Sequence, residues 1–139
     1  MSGRYFLDTN VVVYGFDSSQ PAKRARSREL VAGALGGAGT ISFQVVQEFL
    51  NVALRKFATP MTTAEAREYL DLVLLPLCRV FPEPDLYREA LALRGRWGFS
   101  LYHAMIVAAA IQGGCTTLFT EDLQDGQRIG ELRIENPFR

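Results

Sequence analysis

This chain of 139 residues, 48% hydrophobic and 22% charged, has the size and composition of one folded domain that buries a single core. It carries 15 basic and 15 acidic residues, so the zero net charge excludes a global positive field for nucleic acid and leaves such a partner only a local patch. The two cysteines match no metal-binding spacing and the opening segment "RYFLDTNVVVYGF" lacks a signal-peptide pattern, so we expect a cytoplasmic protein with no membrane segment.

Short apolar runs alternate with helical stretches along the chain. In chain order, the pattern predicts strand 5–8, helices 10–16 and 21–34, strand 40–42, helices 44–57 and 63–75, strand 79–81, helices 84–97 and 101–112, and strands 117–120 and 133–135. Strands that alternate with helices form parallel sheets with helices on both faces. We therefore predict one α/β domain over residues 1–139, with three layers, α/β/α, around a central parallel sheet of about five strands.

The glycine-rich segment "GALGGAG", residues 33–39, separates a predicted helix from a predicted strand and is too short to link two domains. Neither GxGxxG nor GxxxxGK[ST] occurs in the chain, so the sequence does not support a dinucleotide or nucleoside-triphosphate site. A metal-dependent phosphatase or a small-ligand sensor on a similar sheet is also disfavoured, because no DxDxT follows the first strand.

Acidic residues lie near the ends of predicted strands, where α/β sheets bind their ligands. Asp8 ends the first strand, Asp122 follows the fourth, and Glu48 lies on the predicted helix 44–57. Because carboxylates gathered in a cleft repel one another unless a cation lies among them, this group favours Mg²⁺ or Mn²⁺. Taken singly, each has a simpler interpretation: Asp8 and Asp122 as helix caps or loop residues, and Glu48 as a solvated position of an amphipathic helix.

Four segments of the chain resemble those of PIN-domain ribonuclease toxins of the VapC kind, which belong to type II toxin–antitoxin systems. The segments are "FLDTNVVVYGFD", "SFQVVQEFLNVALRK", "SLYHAMIVAAAIQGGCTTLFTEDLQDGQ" and "LRIENPF", and the similarity runs over essentially the whole chain. The resemblance implies an endoribonuclease that depends on Mg²⁺ or Mn²⁺, a cognate antitoxin protein as partner, and a homodimer.

The resemblance also implies which residues act, position by position. Metal-binding and catalytic acids fall at Asp8, Glu48 and Asp122, and the hydroxyl and amide groups that assist them fall at Thr9, Asn10 and Thr120. A third acid is expected in the segment that here reads "SLYHAMIVAAA", and this chain has His103 at that position, its only histidine. The chain therefore departs from the family at a metal-binding position.

His103 lies in the first turn of the predicted helix 101–112, behind Ser100 as N-cap, where the helix dipole favours a negative charge. Imidazole can ligate Mn²⁺ or Zn²⁺ but suits Mg²⁺ poorly, and it removes one negative charge from the site. Three interpretations stay open: a natural variant with a different metal preference, a degenerate site, or an engineered change that inactivates a toxic protein. We expect weakened Mg²⁺-dependent catalysis. The alternative function is a catalytically inactive module that binds RNA or an antitoxin.

The expected substrate is single-stranded or looped RNA, because a splayed strand fills a cleft more easily than a duplex does. Basic residues that are candidates for RNA contact lie on two predicted helices: Lys23, Arg24 and Arg28 on one side of the second, and Arg55 and Lys56 at the end of the third. Such a charge run also forms an ordinary solvated helix face, so both interpretations remain.

Overall fold

The computed structural model describes residues 3–139, so the first two residues of the predicted domain 1–139 lie outside the described part. A six-stranded sheet forms the middle layer, with the strand order β3-β2-β1-β4-β6-β5. The strands are β1 (Arg4–Leu7), β2 (Gly39–Ser42), β3 (Cys78–Val80), β4 (Cys115–Phe119), β5 (Arg128–Ile129) and β6 (Leu132–Glu135). The predicted α/β class with a central, mostly parallel sheet is confirmed.

The sheet departs from the prediction only at one edge. The five predicted strands are present, and neighbours among them pair in parallel. The sixth strand, β5, was not predicted; it has two residues and pairs antiparallel with β6 across a turn that contains Gly130 at a φ of 60°. A two-residue strand leaves no alternating pattern in the sequence, which is why pattern reasoning missed it.

The helices connect the parallel strands and cover the sheet. They are α1 (Thr9–Val13), α2 (Pro21–Gly33), α3 (Phe43–Arg55), α4 (Thr63–Tyr69), α5 (Leu75–Leu77), α6 (Pro84–Trp97) and α7 (Leu101–Gln112). A 3-10 turn at Tyr14–Phe16 extends α1, and π-helical turns follow α2 at Ala34–Ala38 and α4 at Leu70–Leu74. The predicted helix 63–75 is thus divided by a π-helical turn and ends at Leu77. No helix in residues 3–139 is long and apolar enough to cross a membrane.

The most buried helix is α7, in which every residue from Ala104 to Ala110 is buried. A helix that is apolar on all sides belongs inside a protein, and α7 packs between the sheet and α6. Gly98 ends α6 in the left-handed conformation, with a φ of 78°, so that the chain turns and α7 can begin at Leu101. The N-terminus of α7 is therefore held in a fixed position, because the rest of α7 is buried.

Strand order decides where a ligand can bind. From β1 the chain builds β2 and β3 on one side and then returns to place β4 on the other side of β1. Open α/β sheets bind ligands beyond the carboxyl ends of their strands, at the point where the direction of winding reverses. Here that point lies between β1 and β4, where Leu7 pairs with Phe119 and the Asp8 amide N–H donates to the Phe119 carbonyl at 3.1 Å. The segments after β1 and β4 therefore meet at one edge.

Candidate active site

A cleft of about 340 Å³ opens beyond the carboxyl ends of β1 and β4. The acids singled out in the sequence, Asp8, Glu48 and Asp122, lie around it together with His103. The remaining lining residues are Thr9, Asn10, Val13, Gln44, Val52, Tyr102 and Ile106. Residues from both ends of the chain and from its middle thus meet at the edge that the sheet topology selects.

Asp8 is the buried carboxylate of the cleft, with 4% of its surface exposed. One carboxylate oxygen accepts the Thr9 amide N–H at 2.7 Å, which caps α1, and the other accepts the Thr120 hydroxyl at 2.9 Å. Burial raises the pKa of Asp8 to about 6; the bonds from Thr120 and Thr9 oppose the rise, and the negative charges of Asp122 and Glu48 add to it. Asp8 is therefore both a helix cap and a carboxyl group whose charged form is destabilised.

Asn10 and Thr120 join α1 to the loop after β4. The Asn10 amide nitrogen donates to Asp122 Oδ2 at 3.0 Å and to Thr120 Oγ1 at 3.3 Å, while the Asn10 amide oxygen accepts the Glu121 N–H at 3.3 Å. Thr120 Oγ1 also accepts the Asp122 N–H at 3.0 Å. Both ends of the Asn10 amide are in use, so this side chain fixes the position of the exposed Asp122 at the cleft.

Glu48 reaches the same cleft from α3. The Thr9 hydroxyl donates to Glu48 Oε1 at 2.6 Å, and the side chain of Glu48 is half-buried. Helix α3 begins directly after β2, and its buried face, which includes Val45 and Phe49, sets the rotation that turns Glu48 inward. Thr9 follows Asp8 directly in the chain and its hydroxyl binds Glu48, so Thr9 links two of the three carboxylates.

His103 lies in the first turn of α7, where the predicted N-cap is present: Ser100 Oγ accepts the His103 amide N–H at 3.2 Å. Its side chain is half-buried and lines the cleft. The histidine thus occupies a helix N-terminus that faces carboxylates, a place where the helix dipole stabilises negative charge.

Comparison with known proteins identifies the family of this chain. The model of the PIN domain family matches residues 5–129, which is most of the chain. The chain belongs to the PIN domain family. The predicted resemblance is confirmed at this level. No curated protein matches the chain in sequence.

Solved structures share the fold of this PIN domain at low sequence identity. A toxin–antitoxin complex from Klebsiella pneumoniae has a TM-score of 0.70 and 19% identity over 96% of this chain and 97% of that one. VapBC2 from Rickettsia felis, bound to a promoter DNA fragment, has a TM-score of 0.64 and 20% identity over 94% and 96%. VapC20 from Mycobacterium tuberculosis, a toxin that cleaves the sarcin–ricin loop, has a TM-score of 0.61 and 18% identity over 85% and 91%.

The donor chemistry of this PIN domain suits a hard divalent cation. Three carboxylates supply oxygen ligands, and none of the described residues that line the cleft is a lysine or an arginine that could neutralise them. The distances between these side chains are less suitable, because within residues 3–139 no three His, Cys, Asp or Glu side chains lie close enough to hold one metal ion. The side chains therefore fit the ion by type and need to move together to bind it.

Lys23 is the predicted RNA-contact residue nearest to the loop that carries Asp122. Its Nζ lies 2.6 Å from Glu121 Oε2 and 3.3 Å from the Tyr14 hydroxyl, and it lies over the Tyr14 ring at 4.7 Å from the centroid. Tyr14 donates its own hydroxyl to Glu121 Oε1 at 2.7 Å. Lys23 therefore joins α2 to Glu121, the residue that precedes Asp122, through an ion pair that the sequence analysis did not identify.

The other basic candidates lie in two pairs, one on α2 and one at the end of α3. Arg28 donates through Nε to the Gly15 carbonyl at 2.9 Å, and Arg24 is half-buried on the same helix. Arg55 and Lys56 are exposed at the end of α3. Lys56 lines a second cavity, of about 580 Å³, that shares Val13 and Val52 with the cleft, and Arg28 lines a third, of about 230 Å³.

Gln44 and Tyr102 line the cleft and were missed by sequence reasoning. Gln44 Nε2 donates to the Tyr102 carbonyl at 3.3 Å, which connects the start of α3 to the start of α7. The signal that could have found Tyr102 was its place beside His103, in "SLYHA". No comparable signal marks Gln44, because one glutamine in an amphipathic helix resembles any solvated position.

Proposed function

We propose that this PIN domain is a metal-dependent endoribonuclease, the toxin of a toxin–antitoxin pair, which hydrolyses phosphodiester bonds in single-stranded or looped RNA. The observation that carries the proposal is Asp8, a buried carboxylate at the switch point of the sheet that faces Glu48 and Asp122 with no lysine or arginine among the described lining residues. Membership of the PIN family supports it, as does a fold shared with toxins, one of which cleaves the sarcin–ricin loop.

Asp8, Glu48 and Asp122, with His103, are the residues that would hold Mg²⁺ or Mn²⁺. The chemistry supplied by the bound ion is neutralisation of phosphate charge and a lower pKa for a coordinated water. The chain itself orients the carboxylates: Thr9 holds Glu48 at 2.6 Å, and Asn10 holds Asp122 at 3.0 Å. One of the three carboxylates then accepts the proton of the attacking water as general base.

His103 favours weakened Mg²⁺-dependent catalysis over an unaltered nuclease. An imidazole brings no negative charge to a cleft that would otherwise have four acids, and it is a poor ligand for Mg²⁺. This substitution, together with the incomplete metal spacing in residues 3–139, supports the second candidate function, an inactive module that binds RNA or an antitoxin. In that case the fold and the cleft persist without turnover.

We also propose two protein partners, a second copy of the chain and an antitoxin in the cytoplasm. Support for the homodimer comes from large apolar side chains that are exposed to solvent, namely Leu72 and Leu75 after α4 and Tyr87 and Leu91 on α6. Support for the antitoxin comes from the cleft, where a basic side chain from a bound segment would meet three carboxylates.

The test is cleavage of defined RNAs by the purified protein, with Mg²⁺ and Mn²⁺ titrated separately, beside isothermal titration of each metal. We expect metal-dependent cleavage that is stronger with Mn²⁺ than with Mg²⁺ and that disappears in Asp8→Asn. Binding of RNA or of an antitoxin segment without cleavage under either metal would favour the inactive module. Cleavage that persists in EDTA would contradict the proposal.

A further inference from the structure

A large aromatic side chain lies in solvent at the edge of the cleft. Tyr102 is 66% exposed, yet it lines the cleft and is followed directly by His103. It is the one phenylalanine, tyrosine or tryptophan among the described lining residues. A ring of this size contributes to stability mainly when it is buried, so its exposure at this place is not explained by the packing of the fold.

The backbone of Tyr102 is held in place although its ring is free. Its carbonyl accepts the side-chain amide of Gln44 at 3.3 Å, and Gln44 is itself only 5% exposed. On the other side, Ser100 caps the first turn of α7, and the buried residues from Ala104 onward fix the rest of that helix. The Tyr102 backbone, from which the ring extends, is therefore held in a fixed position at the mouth of the cleft.

The charge of the cleft limits how it can bind RNA. Three carboxylates line it, and the described lining residues include no lysine or arginine, so none of these side chains offers the lysine or arginine ion pair on which phosphate binding usually depends. Stacking of a base on an aromatic ring needs no charge, tolerates any sequence and is a principal contact in single-strand binding. Tyr102 is the side chain at this cleft that can make that contact.

We propose that Tyr102 is a stacking platform for one base of the RNA strand that enters the cleft. The inference rests on the proposed ribonuclease function and adds a substrate contact to it. The base lies flat on the exposed ring, and the adjoining backbone passes His103 toward the carboxylates. Because the ring and not the hydroxyl makes the contact, phenylalanine serves at this position as well as tyrosine does.

The experiment measures the affinity of the full chain for a fluorescein-labelled 12-nucleotide single-stranded RNA by anisotropy. Every protein carries Asp8→Asn so that the strand stays intact in Mg²⁺. We expect Tyr102→Ala to weaken binding roughly 5- to 100-fold, and Tyr102→Phe to stay within about twofold of the parent. The matched control is Phe81→Ala, directly after β3, where an aromatic ring that is 56% exposed lies outside the cleft; it should bind as the parent does.

Two further measurements separate stacking from other causes. The slope of log Kd against log salt should be the same for the parent and for Tyr102→Ala, because a stacked base releases no counterions. A set of RNAs with one abasic residue each should show a position where the parent loses affinity and Tyr102→Ala does not. Equal abasic penalties in both proteins, a changed salt slope, or the same loss in Phe81→Ala would each overturn the proposal.

The outcome is distinguishable from a failure of the proposed function. Absence of metal-dependent RNA cleavage by the chain with Asp8 intact contradicts the nuclease and leaves the stacking result to be judged by binding alone. Unchanged RNA affinity in Tyr102→Ala, with cleavage observed, overturns only the role of Tyr102. If Tyr102→Ala loses binding to an antitoxin segment but keeps its affinity for RNA, the ring belongs to a protein interface and the stacking proposal is refuted. Failure of the parent to bind any RNA also refutes the stacking proposal.

Discussion

Replacing Asp8 by asparagine should make the protein more stable at neutral pH while removing its function. Asp8 is buried beside Glu48 and Asp122, and burial is the main cause that raises its pKa from an ordinary value of 3.8 to about 6. The ionised carboxylate is therefore costly to the folded state in the absence of a bound cation. Asparagine has nearly the same shape and carries no charge, and its one amide oxygen can accept either the Thr9 or the Thr120 bond, so one of the two is lost.

The magnitude follows from linkage. A rise of about 2 pKa units at about 1.4 kcal/mol per unit corresponds to about 3 kcal/mol. The sign is set by proton binding: between pH 3.8 and about 6 the folded state holds a proton that the unfolded state has lost, so the stability of the parent falls as pH rises through this window. Above it, the loss is complete. Asp8→Asn lacks this titration and does not share the fall.

The assay is urea unfolding of the parent and of Asp8→Asn at pH 4 and pH 7.5, at constant salt with EDTA. The difference in free energy of unfolding should move by about 2 to 3 kcal/mol in favour of the asparagine variant between the two pH values. Millimolar Mn²⁺ at pH 7.5 should then stabilise the parent and leave Asp8→Asn unchanged. A difference that does not vary with pH would refute the account of Asp8 as a destabilised carboxylate.

His103→Asp should tighten Mg²⁺ binding in calorimetry and raise Mg²⁺-dependent RNA cleavage, with about 0.3 to 1 kcal/mol contributed by the helix dipole alone. Adding Asp8→Asn should abolish the gain. If the parent with His103 is as active with Mg²⁺ as the aspartate variant, His103 does not weaken the site. Lys23→Met should lower the urea midpoint only slightly, because the Lys23–Glu121 pair is partly exposed and such pairs contribute little, but it should weaken Mn²⁺ binding by releasing Glu121, whereas Lys23→Arg should retain that binding. Unaltered Mn²⁺ affinity in the methionine variant would contradict a positioning role. Leu72→Glu should convert the proposed dimer to a monomer in light scattering, and a monomeric parent would refute the dimer itself.

Sequence patterns predicted the layers and most element bounds because each depends on local chemistry. The limits of α6 and α7 follow from Pro84, Gly98 and Ser100, which are residue types that favour the first turn, the C-cap and the N-cap of a helix. The π-helical turn after α4 has no such marker. The predicted helix stops at residue 75, whereas Pro76 lies in the first turn of α5, where a missing N–H is tolerated.

The site was predictable in its parts and not in its connections. Asp8 and Asp122 follow strands, so topology alone brings them to one edge, whereas the inward rotation of Glu48 depends on which face of α3 the core accepts. The bond between Thr120 and Asp8 spans 112 positions and the ion pair between Lys23 and Glu121 spans 98. Contacts of this range leave no periodic or spacing signal in one sequence.

The same separation has a consequence for synthesis. The cleft needs β1 and the segment after β4 side by side, and the bond between Thr120 and Asp8 cannot form before residue 120 has left the ribosome. Until then, one edge of β1 lacks its partner and Asp8 lacks the Thr120 hydroxyl. Domains fold during translation from the N-terminus onward, so nearly the whole of this chain is made before its acids can gather. A nascent chain of fewer than 120 residues therefore carries Asp8 and Glu48 without an assembled cleft.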